Sequence, residues 1–309
     1  MTVTMACGGS RDSGGTPTPA PTPTPTPTKT WSAMNSSTTE NLNAIWGASA
    51  NDTFVVGNNG TILHSNGSDW TVMKSDTSIK LNGVYGFAPD NVFAVGDKLT
   101  ILHYNGSHWT PVKTGIIIGV RDNLHDVWGR DNSNIFAAGD GGVILHYDGR
   151  NWTNIKDIAS ASLSLRAIWG PADGDILLAG YGTWGTIYRY DAMNWYSTLL
   201  SNPPRWLFDI WGYSPSNVFS AGEDGTILNW NGSSWAYMKS QSEQTLYGIW
   251  GYSNNDTFAV GEGGTILHYN GDYWLSMNSS SQATLNDVWG NPANDVFAIG
   301  ENGSILRYR

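Results

Sequence analysis

Three arginines and three large aromatic side chains, all between residues 121 and 206, are the residues of this sequence best suited to ligand chemistry. They are Arg121, Arg166, Arg205, Tyr181, Trp184 and Trp206. A planar guanidinium binds an anion through paired hydrogen bonds, and an exposed ring stacks on sugars and other flat groups. This set predicts a site for an anionic or sugar-like ligand. The alternative is structural: each arginine pairs with a surface carboxylate, and the two tryptophans seal longer loops.

The overall composition excludes several classes of function. The 309-residue chain has 16 Lys and Arg against 26 Asp and Glu, which gives a formal net charge of −10. Nucleic-acid binding needs basic surface to displace counterions from phosphates, so that class is excluded. One cysteine cannot form an intramolecular disulfide, and zinc or iron–sulfur sites need several. The sequence contains no metal motif, phosphate loop or apolar run long enough to span a membrane, and we expect no cofactor.

The chain contains seven copies of one repeat. The hexapeptide Leu-Asn-Ala-Ile-Trp-Gly at residues 42–47 returns six times with small changes, at spacings of 39 to 43 residues. Behind each copy come a segment such as Asp52-Thr-Phe-Val-Val-Gly57, one such as Thr61-Ile-Leu-His64, and one such as Trp70-Thr-Val-Met73. Each segment is a short apolar run bounded by turn-forming residues, which predicts a strand. Four antiparallel strands in a unit of about 40 residues are typical of a propeller blade.

The two chain ends indicate how the ring of blades closes. The seventh copy stops after its third strand, whereas an unaccompanied fourth strand lies at the other end, at about Trp31–Met34. We therefore expect the N-terminal strand to complete the last blade beside the three C-terminal ones. The sequence predicts an all-β, seven-bladed β-propeller over residues 30–309, with four antiparallel strands per blade. Ring closure removes the open sheet edges that promote aggregation.

Most of the 16 tryptophans belong to the repeat. Seven begin a fourth strand, six occupy the Trp-Gly pair of the hexapeptide, and Trp230 takes a position held elsewhere by tyrosine. We expect these fourteen to pack between blades. Trp184 and Trp206 are left over, and both lie in longer connections of blades 4 and 5, on the face where propellers usually bind ligands. These two side chains, with the nearby Tyr181, therefore favour that sector as the binding site.

Two further sets of polar residues recur at fixed positions of the repeat. His64, His103, His146 and His268 share a third-strand position in different blades, too far apart to hold one metal ion. We expect them to form hydrogen bonds between blades. Three first strands carry an aspartate near the axis, at Asp126, Asp209 and Asp287. These carboxylates could bind a cation such as calcium in the channel. However, the other four blades have alanine or glycine at this position, so we expect no metal.

The first 29 residues do not match the repeat. Residues 16–28 alternate Thr and Pro, and such a segment extends by about 3.1 Å per residue as a semi-rigid stalk. Cys7 lies upstream, before Gly-Gly-Ser, and resembles the end of a bacterial lipoprotein signal, although no basic or apolar region precedes it. Lipidation of Cys7 and an inert tail cysteine are the two alternatives. The first predicts an extracellular protein anchored at the cell surface or outer membrane.

The repeat resembles that of bacterial surface β-propellers. The shared features are the Trp-Gly pair, the stretch Asp-x-Phe-x-Val-Gly-x-x-Gly-Thr-Ile-Leu-His-Tyr and the closing Trp. The chain is more distantly similar to propellers with BNR or Asp-box repeats. The Asp-box has the sequence Ser-x-Asp-x-Gly-x-Thr-Trp. Its nearest counterpart here runs from Tyr104 to Trp109, and Asn105, at the acidic position, lies one residue closer to the Trp than in the Asp-box. The resemblance covers residues 31–309 and implies the fold, but propellers host many unrelated functions.

Three functions remain open at this point. The favoured one is a non-catalytic recognition propeller, at the cell surface or secreted, that binds a protein or glycan on the face of blades 3–5. The first alternative is a hydrolase of acidic sugars similar to sialidases, with Tyr247 as nucleophile, assisted by Glu243, beside the arginine triad. Sialidases of that kind have six blades and a different repeat box. The second alternative is a purely structural subunit of a surface assembly.

Overall fold

The propeller predicted from the repeat is confirmed. The computed structural model describes residues 29–116, 123–157, 162–200 and 205–309. These residues form 28 β-strands, arranged in seven four-stranded antiparallel sheets. Each sheet is one blade, and in the first six blades the strands follow one another in sequence from the central channel to the outer edge.

The strands of blades 1–4 are as follows. Blade 1 contains β2 Leu42–Ser49, β3 Asp52–Gly57, β4 Ile62–Ser65 and β5 Trp70–Met73. Blade 2 contains β6 Leu81–Ala88, β7 Asn91–Gly96, β8 Thr100–Tyr104 and β9 Trp109–Pro111. Blade 3 contains β10 Leu124–Asp131, β11 Asn134–Gly139, β12 Val143–Tyr147 and β13 Trp152–Asp157. Blade 4 contains β14 Ser164–Trp169, β15 Ile176–Tyr181, β16 Gly185–Tyr190 and β17 Trp195–Leu200.

The remaining strands form blades 5–7. Blade 5 contains β18 Leu207–Ser214, β19 Asn217–Gly222, β20 Ile227–Trp230 and β21 Trp235–Met238. Blade 6 contains β22 Leu246–Ser253, β23 Asp256–Gly261, β24 Ile266–Tyr269 and β25 Trp274–Met277. Blade 7 contains β26 Leu285–Gly290, β27 Val296–Gly300, β28 Ile305–Tyr308 and β1 Trp31–Met34. Single 3₁₀ turns occur at Asn58–Gly60, Glu223–Gly225, Glu262–Gly264 and Glu301–Gly303, and no helix of these described ranges could cross a membrane.

The N-terminal strand closes the ring, as the chain ends predicted. Strand β1 pairs antiparallel with β28, so that Trp31 lies opposite Tyr308 and Met34 opposite Ile305. Backbone hydrogen bonds of 3.0 and 3.3 Å between Thr30 and Arg309 extend the pairing by one residue. The two chain ends therefore hold each other in one sheet, and blade 7 is complete only when both are present.

The core lies in the gaps between consecutive blades. In the gap between blades 1 and 2, Phe54 of a second strand packs edge-on against Trp109 of the next blade's fourth strand, with ring centroids 6.1 Å apart. Nearer the channel, the Trp-Gly pair serves the same purpose, because the tryptophan of one blade covers the glycine of the next. A β-carbon at Gly47 would lie only 2.5 Å from the ring of Trp289. Both contacts explain why the repeat retains these residue types.

Three of the four recurring histidines contact an Asp or Asn of their own blade, and Nε2 of His146 has no hydrogen-bond partner among the described residues, so the expectation of hydrogen bonds between blades is wrong. Nε2 of His268 lies 2.8 Å from Oδ1 of Asp256, which begins the second strand of the same blade. The ring of His268 also stacks on Phe258 of that strand, at 4.5 Å. Adjacent antiparallel strands bring the third-strand position beside the second strand of its own sheet, so the partner is local.

Candidate binding site at the channel mouth

Seven side chains form a ring around one end of the central channel. Each follows the leucine that opens the repeat hexapeptide, so every blade contributes one member at the same height. We call this side of the disc the mouth face; it carries the entries into the first strands and the turns between second and third strands. The ring and the channel wall enclose a cavity of about 210 Å³. The ring members are Asn43, Asn82, His125, Arg166, Phe208, Tyr247 and Asn286.

Asparagine is the usual ring member, and it links neighbouring blades. Nδ2 of Asn82 donates to the carbonyl of Leu124 in the next blade at 2.8 Å and to Asp97 of its own blade at 2.9 Å. Asn43 makes the same link to the carbonyl of Leu81, at 2.7 Å. Blades 3–6 replace the asparagine with histidine, arginine, phenylalanine and tyrosine. The chemistry of the ring therefore changes on one side only.

His125 connects a carboxylate to Arg166. Its Nε2 lies 2.7 Å from Oδ1 of Asp140, and its Nδ1 lies 3.3 Å from Nη1 of Arg166. Burial lowers the pKa of His125, and the hydrogen bond to Asp140 offsets this only in part. A neutral imidazole that donates to Asp140 and accepts from Arg166 fits both contacts. Burial alone would raise the pKa of Asp140, but hydrogen bonds from His125, Ser164 and Asn123 outweigh it and hold that pKa at about 2.

Blade 4 lacks the acidic residue that most other blades carry at a fixed position after the ring member. In five other blades the residue fifteen positions after the ring member is acidic, namely Asp97, Asp140, Glu223, Glu262 and Glu301. In blade 4 that residue is Tyr181. The half-buried Arg166 contacts the imidazole of His125, and no carboxylate in the described part of the chain lies within ion-pair distance of it. A guanidinium is positively charged at physiological pH, so Arg166 presents to the mouth a charge that no carboxylate of the described residues pairs with.

A second cation, Lys80, lines the same cavity. The loss of surrounding water lowers the pKa of Lys80, Asp97 opposes that shift, and the nearby charge of Arg166 adds to it. Two like charges that share one cavity repel each other, and an anion placed between them relieves that repulsion. The side of the mouth formed by blades 2–4 is therefore suited to a carboxylate or another anion.

Four aromatic side chains form a continuous row beside these cations. The ring of Trp206 stacks on Tyr181, with centroids 4.3 Å apart and an interplanar angle of 13°. Tyr181 packs edge-on against Phe208 at 5.9 Å, and Phe208 contacts Tyr247 at 5.1 Å. Trp206 is 41% exposed. This aromatic row runs from the entry of blade 5 to the ring and offers an apolar surface next to Arg166.

Tyr247 faces the acidic side of the mouth. Its hydroxyl donates to Oε1 of Glu262 at 3.1 Å, whereas Glu243 is exposed on the loop that leads into β22. Burial, the hydrogen bond to Glu262 and the charges of Glu262 and Glu301 raise the pKa of Tyr247 to about 12. A nucleophilic phenol needs a base that removes its proton easily, and this environment retains the proton instead.

The other predicted site residues lie in different surroundings. Arg205 forms an ion pair with Asp224 of its own blade. Trp184 is 43% exposed on the turn between β15 and β16, where its carbonyl accepts hydrogen bonds from Gly182 and Thr186. No ring contact joins Trp184 to the aromatic row among the described residues. Arg121 and Cys7 lie outside the described residues, so the arginine triad is represented by Arg166 and Arg205 alone.

Three half-buried aspartates line the cavity below the ring and hold blades together. Asp126 accepts backbone N–H groups from Val127 at 2.8 Å and from Ile168 of the next blade at 2.9 Å, and Asp209 and Asp287 repeat this bridge. Burial raises the pKa of Asp126 to about 8, and the charge of Asp209 adds to the shift. The described residues contain no group of three or more His, Cys, Asp or Glu able to hold a metal ion.

Of the residues that the structure places around the mouth, sequence reasoning named Arg166, Tyr181, Trp206 and Tyr247 but not Lys80, His125 or Phe208. A signal for the last two was present, because both replace the asparagine that follows the opening leucine in blades 1, 2 and 7. Lys80 gave no comparable signal, since it lies in a connection whose course the repeat does not determine. Aligning the seven copies column by column identifies the ring without any structure.

Comparison with known proteins supports the fold. No family model matches the chain, and no curated protein sequence matches it at a significant level. Among solved structures, YCF48 bound to D1 peptide superimposes with a TM-score of 0.74 at 17% identity, over 90% of this chain and 94% of that one. YCF48 from Cyanidioschyzon merolae gives 0.74 at 15% identity, over 91% and 99% of the two chains. The WD40 propeller domain of Doa1 gives 0.71 at 13% identity, over 88% and 94%.

Proposed function

We propose that this protein is a non-catalytic interaction propeller that binds an acidic segment of a protein partner at the channel mouth. The observation that carries the proposal is the charge of Arg166, which has a neutral imidazole rather than a carboxylate as its neighbour. A partner carboxylate can form paired hydrogen bonds with this guanidinium, in a half-buried position where they are stronger than in water.

The surroundings of Arg166 add both affinity and selectivity. Lys80 supplies a second positive charge in the same cavity, and the aromatic row supplies stacking surface for side chains that flank the bound carboxylate. On a chain of net charge −10, most of the surface repels an acidic segment. Such a segment is therefore directed to the cationic side of the mouth, and we expect its binding to weaken with added salt.

The structural neighbours favour a protein as the partner. YCF48 has been solved with a peptide bound, and Doa1 carries a propeller of the WD40 type. The likeness at 13–17% identity concerns the fold, so the ligand is argued from the mouth itself. Glycan binding and sugar hydrolysis are the competing proposals, and Tyr247 with its pKa near 12 does not favour hydrolysis.

A peptide array tests the proposal. Immobilised synthetic peptides of graded net charge, each made with and without an aromatic residue, are probed with wild-type protein. We expect retention to rise with negative charge and to rise further with an aromatic residue beside the acidic one. Arg166→Ala should weaken that binding by about tenfold or more, because a charge-assisted contact is lost.

Arg150→Ala is the matched control, since it removes the same charge from an exposed turn on the far side of blade 3. Its binding should equal that of the wild type. Equal losses in the two variants would reduce the effect to net charge, and unchanged binding in Arg166→Ala would place the site elsewhere. Retention independent of peptide charge would overturn the proposal.

The placement at the cell surface is part of the proposal and rests on the tail sequence. A Thr/Pro stalk at residues 16–28 would hold the propeller away from an anchor at Cys7. Expression of the full chain and of Cys7→Ser in a bacterium, followed by membrane fractionation and mass spectrometry, tests it. We expect lipid on Cys7 and membrane association that the variant loses; unmodified, freely soluble wild-type protein would contradict it.

A further inference from the structure

Five of the seven gaps between blades are filled by the same pair of rings. In each, a second-strand phenylalanine meets the fourth-strand tryptophan of the next blade edge-on, at centroid distances of 6.1 to 6.4 Å. The five tryptophans are buried, with 1–6% of their surface exposed. The pairs are Phe54–Trp109, Phe93–Trp152, Phe219–Trp274, Phe258–Trp31 and Phe297–Trp70. This contact is the regular way in which the molecule fills a gap.

The gap between blades 4 and 5 departs from that arrangement. Leu177 stands at the position of the phenylalanine, and the tryptophan opposite, Trp235, is only half-buried. A cavity of about 550 Å³ opens there, within the range of small-ligand pockets. Its apolar wall consists of Trp169, Leu177, Ile187, Tyr196, Trp230 and Trp235. The cavity opens on the face that carries the turns between third and fourth strands, opposite the mouth face.

The polar rim of this cavity also suits an aromatic ring. Arg189 occupies the third-strand position that holds histidine in other blades, and it pairs with Asp175 at 3.2 Å. In blades 1 and 7 the residue at that position packs on the phenylalanine of its own blade, as Arg307 does on Phe297 at 5.6 Å. Without a phenylalanine, Arg189 lies over Tyr196 instead, at 4.5 Å. A ring in the cavity would therefore meet a tryptophan and a guanidinium, as Phe297 meets Trp70 and Arg307.

The chain has no ring of its own left for this cavity. Residues 1–28, 117–122, 158–161 and 201–204, which lie outside the described ranges, contain no Phe, Tyr or Trp. A second, open cavity shares Trp230 and Trp235 with the first and lies along the outer strand β17, where Leu199 is 59% exposed. Strand β17 is the edge of its sheet, and an extended polypeptide can lie beside an edge strand.

We propose that the gap between blades 4 and 5 is a second binding site, which takes an aromatic side chain from an extended segment of a protein partner. The bound ring occupies the space that a phenylalanine fills in the regular gaps, with its edge toward Trp235 and Arg189 at the rim. This site lies on the opposite face from Arg166 and is independent of the function proposed for the mouth.

The test uses the full chain labelled with 5-fluorotryptophan and followed by fluorine NMR. The probe is N-acetyl-phenylalanine amide, with N-acetyl-leucine amide as the matched control ligand. We expect the phenylalanine probe to shift the signals of Trp169, Trp230 and Trp235, and the leucine probe to act at least about tenfold more weakly. Arg166→Ala should bind the probe as the wild type does, which separates this site from the mouth.

Two variants block the site in different ways. Leu177→Phe fills the gap with the chain's own ring, and Thr198→Phe covers the opening from the exposed strand β17, where misfolding is not a concern. Both should abolish the shifts, and a thermal melt checks that Leu177→Phe is folded. Undiminished binding in either folded variant, or no shift in the wild type, would overturn the proposal. Self-association of the wild type that Leu177→Phe abolishes would assign the site to a second copy and overturn the choice of partner.

Discussion

The gaps on either side of blade 4 differ from the other five in how they are filled. In the regular gaps a phenylalanine and a tryptophan meet edge-on, and the tryptophan is buried. Beside blade 4, Trp195 and Trp235 are half-buried, and cavities of about 220 and 550 Å³ remain. The mouth shows the same asymmetry, because blade 4 lacks the acidic residue that five other blades carry at the matching position, and Arg166 contacts His125 instead.

The comparison separates residues that hold the seven blades together from residues that are available for binding a ligand. Blades 1, 2 and 7 follow the repeat closely: each packs its second-strand phenylalanine on the tryptophan of the next blade, and each has an asparagine in the mouth ring. When one copy of the repeat lacks both the second-strand phenylalanine and the acidic residue, the fold loses stabilising contacts and gains none in return. Such losses are expected at functional sites. Blade 4 lacks both, with Leu177 and Tyr181 at the two positions.

The largest difference should come from the fourth-strand tryptophans. Trp274→Ala removes a ring that is 1% exposed, and we expect it to lower the free energy of unfolding by about 3–5 kcal/mol. Trp235→Ala, at the half-buried position, should cost about 1–2 kcal/mol because less contact is lost. Urea unfolding followed by circular dichroism measures both. Equal costs would show that the two kinds of gap do not differ in packing.

The arginines should show the same contrast. Arg307 forms a largely buried ion pair with Asp295 at 2.6 Å, so Arg307→Ala leaves a buried carboxylate unpaired and should cost about 3 kcal/mol. Arg166→Ala should change stability by no more than about 0.5 kcal/mol, since no carboxylate within the described ranges forms an ion pair with it. The same unfolding assay applies. A cost above about 1.5 kcal/mol for Arg166→Ala would mark it as a structural residue.

The half-buried aspartates below the mouth make stability depend on pH, in regular and irregular gaps alike. Asp126, which bridges blades 3 and 4, has its pKa raised by burial from 3.8 to about 8. The folded state then holds a proton that the unfolded state has released, so the stability contributed by Asp126 is fully present below about pH 4 and is lost as pH rises through about 8. One proton corresponds to about 1.4 kcal/mol for each pH unit, so we expect a loss of roughly 2 kcal/mol between pH 5 and pH 6.5, continuing toward pH 8. Unfolding midpoints measured across this range should flatten in Asp126→Asn, and an unchanged slope would contradict the assignment.

Exchanging the residues of the two kinds of gap should have the smallest effect. Phe219→Leu copies blade 4 into a regular gap and should cost about 1 kcal/mol, through the cavity it creates. Leu177→Phe copies the regular gap into blade 4 and should raise stability by up to about 1 kcal/mol. Differential scanning calorimetry resolves the two shifts. Destabilisation by Leu177→Phe would mean that the cavity cannot take a ring of that size.

Much of the fold could be predicted from the sequence, because each repeat contains its own strand and turn signals. The unaccompanied fourth strand at Trp31–Met34 also predicted how the ring of blades closes, and the pairing of Trp31 with Tyr308 confirms that prediction. The histidines were assigned to the wrong interface, since the repeat shows which positions recur but not which neighbour each side chain faces. The local pair of His268 and Asp256 depends on strand register, which only the structure supplies.

The candidate site was predicted less completely, for a different reason. Arg205 looked equivalent to Arg166 in sequence, yet a turn brings Asp224 to it and neutralises its charge. Irregular connections have no counterpart in the other copies, so the repeat cannot indicate their partners. The replacement of phenylalanine by Leu177 was visible in the sequence, but its consequence, an open gap, follows only from three-dimensional packing.

The most direct test of the account is a crystal structure of the protein with the acidic peptide that the array retains best. We predict a peptide carboxylate oxygen within about 3 Å of the guanidinium of Arg166, with a neighbouring peptide side chain against the ring of Tyr181 or Phe208. A peptide bound over the regular blades 6, 7 and 1, with the surroundings of Arg166 unchanged, would contradict the claim that the departures in blade 4 form the binding site.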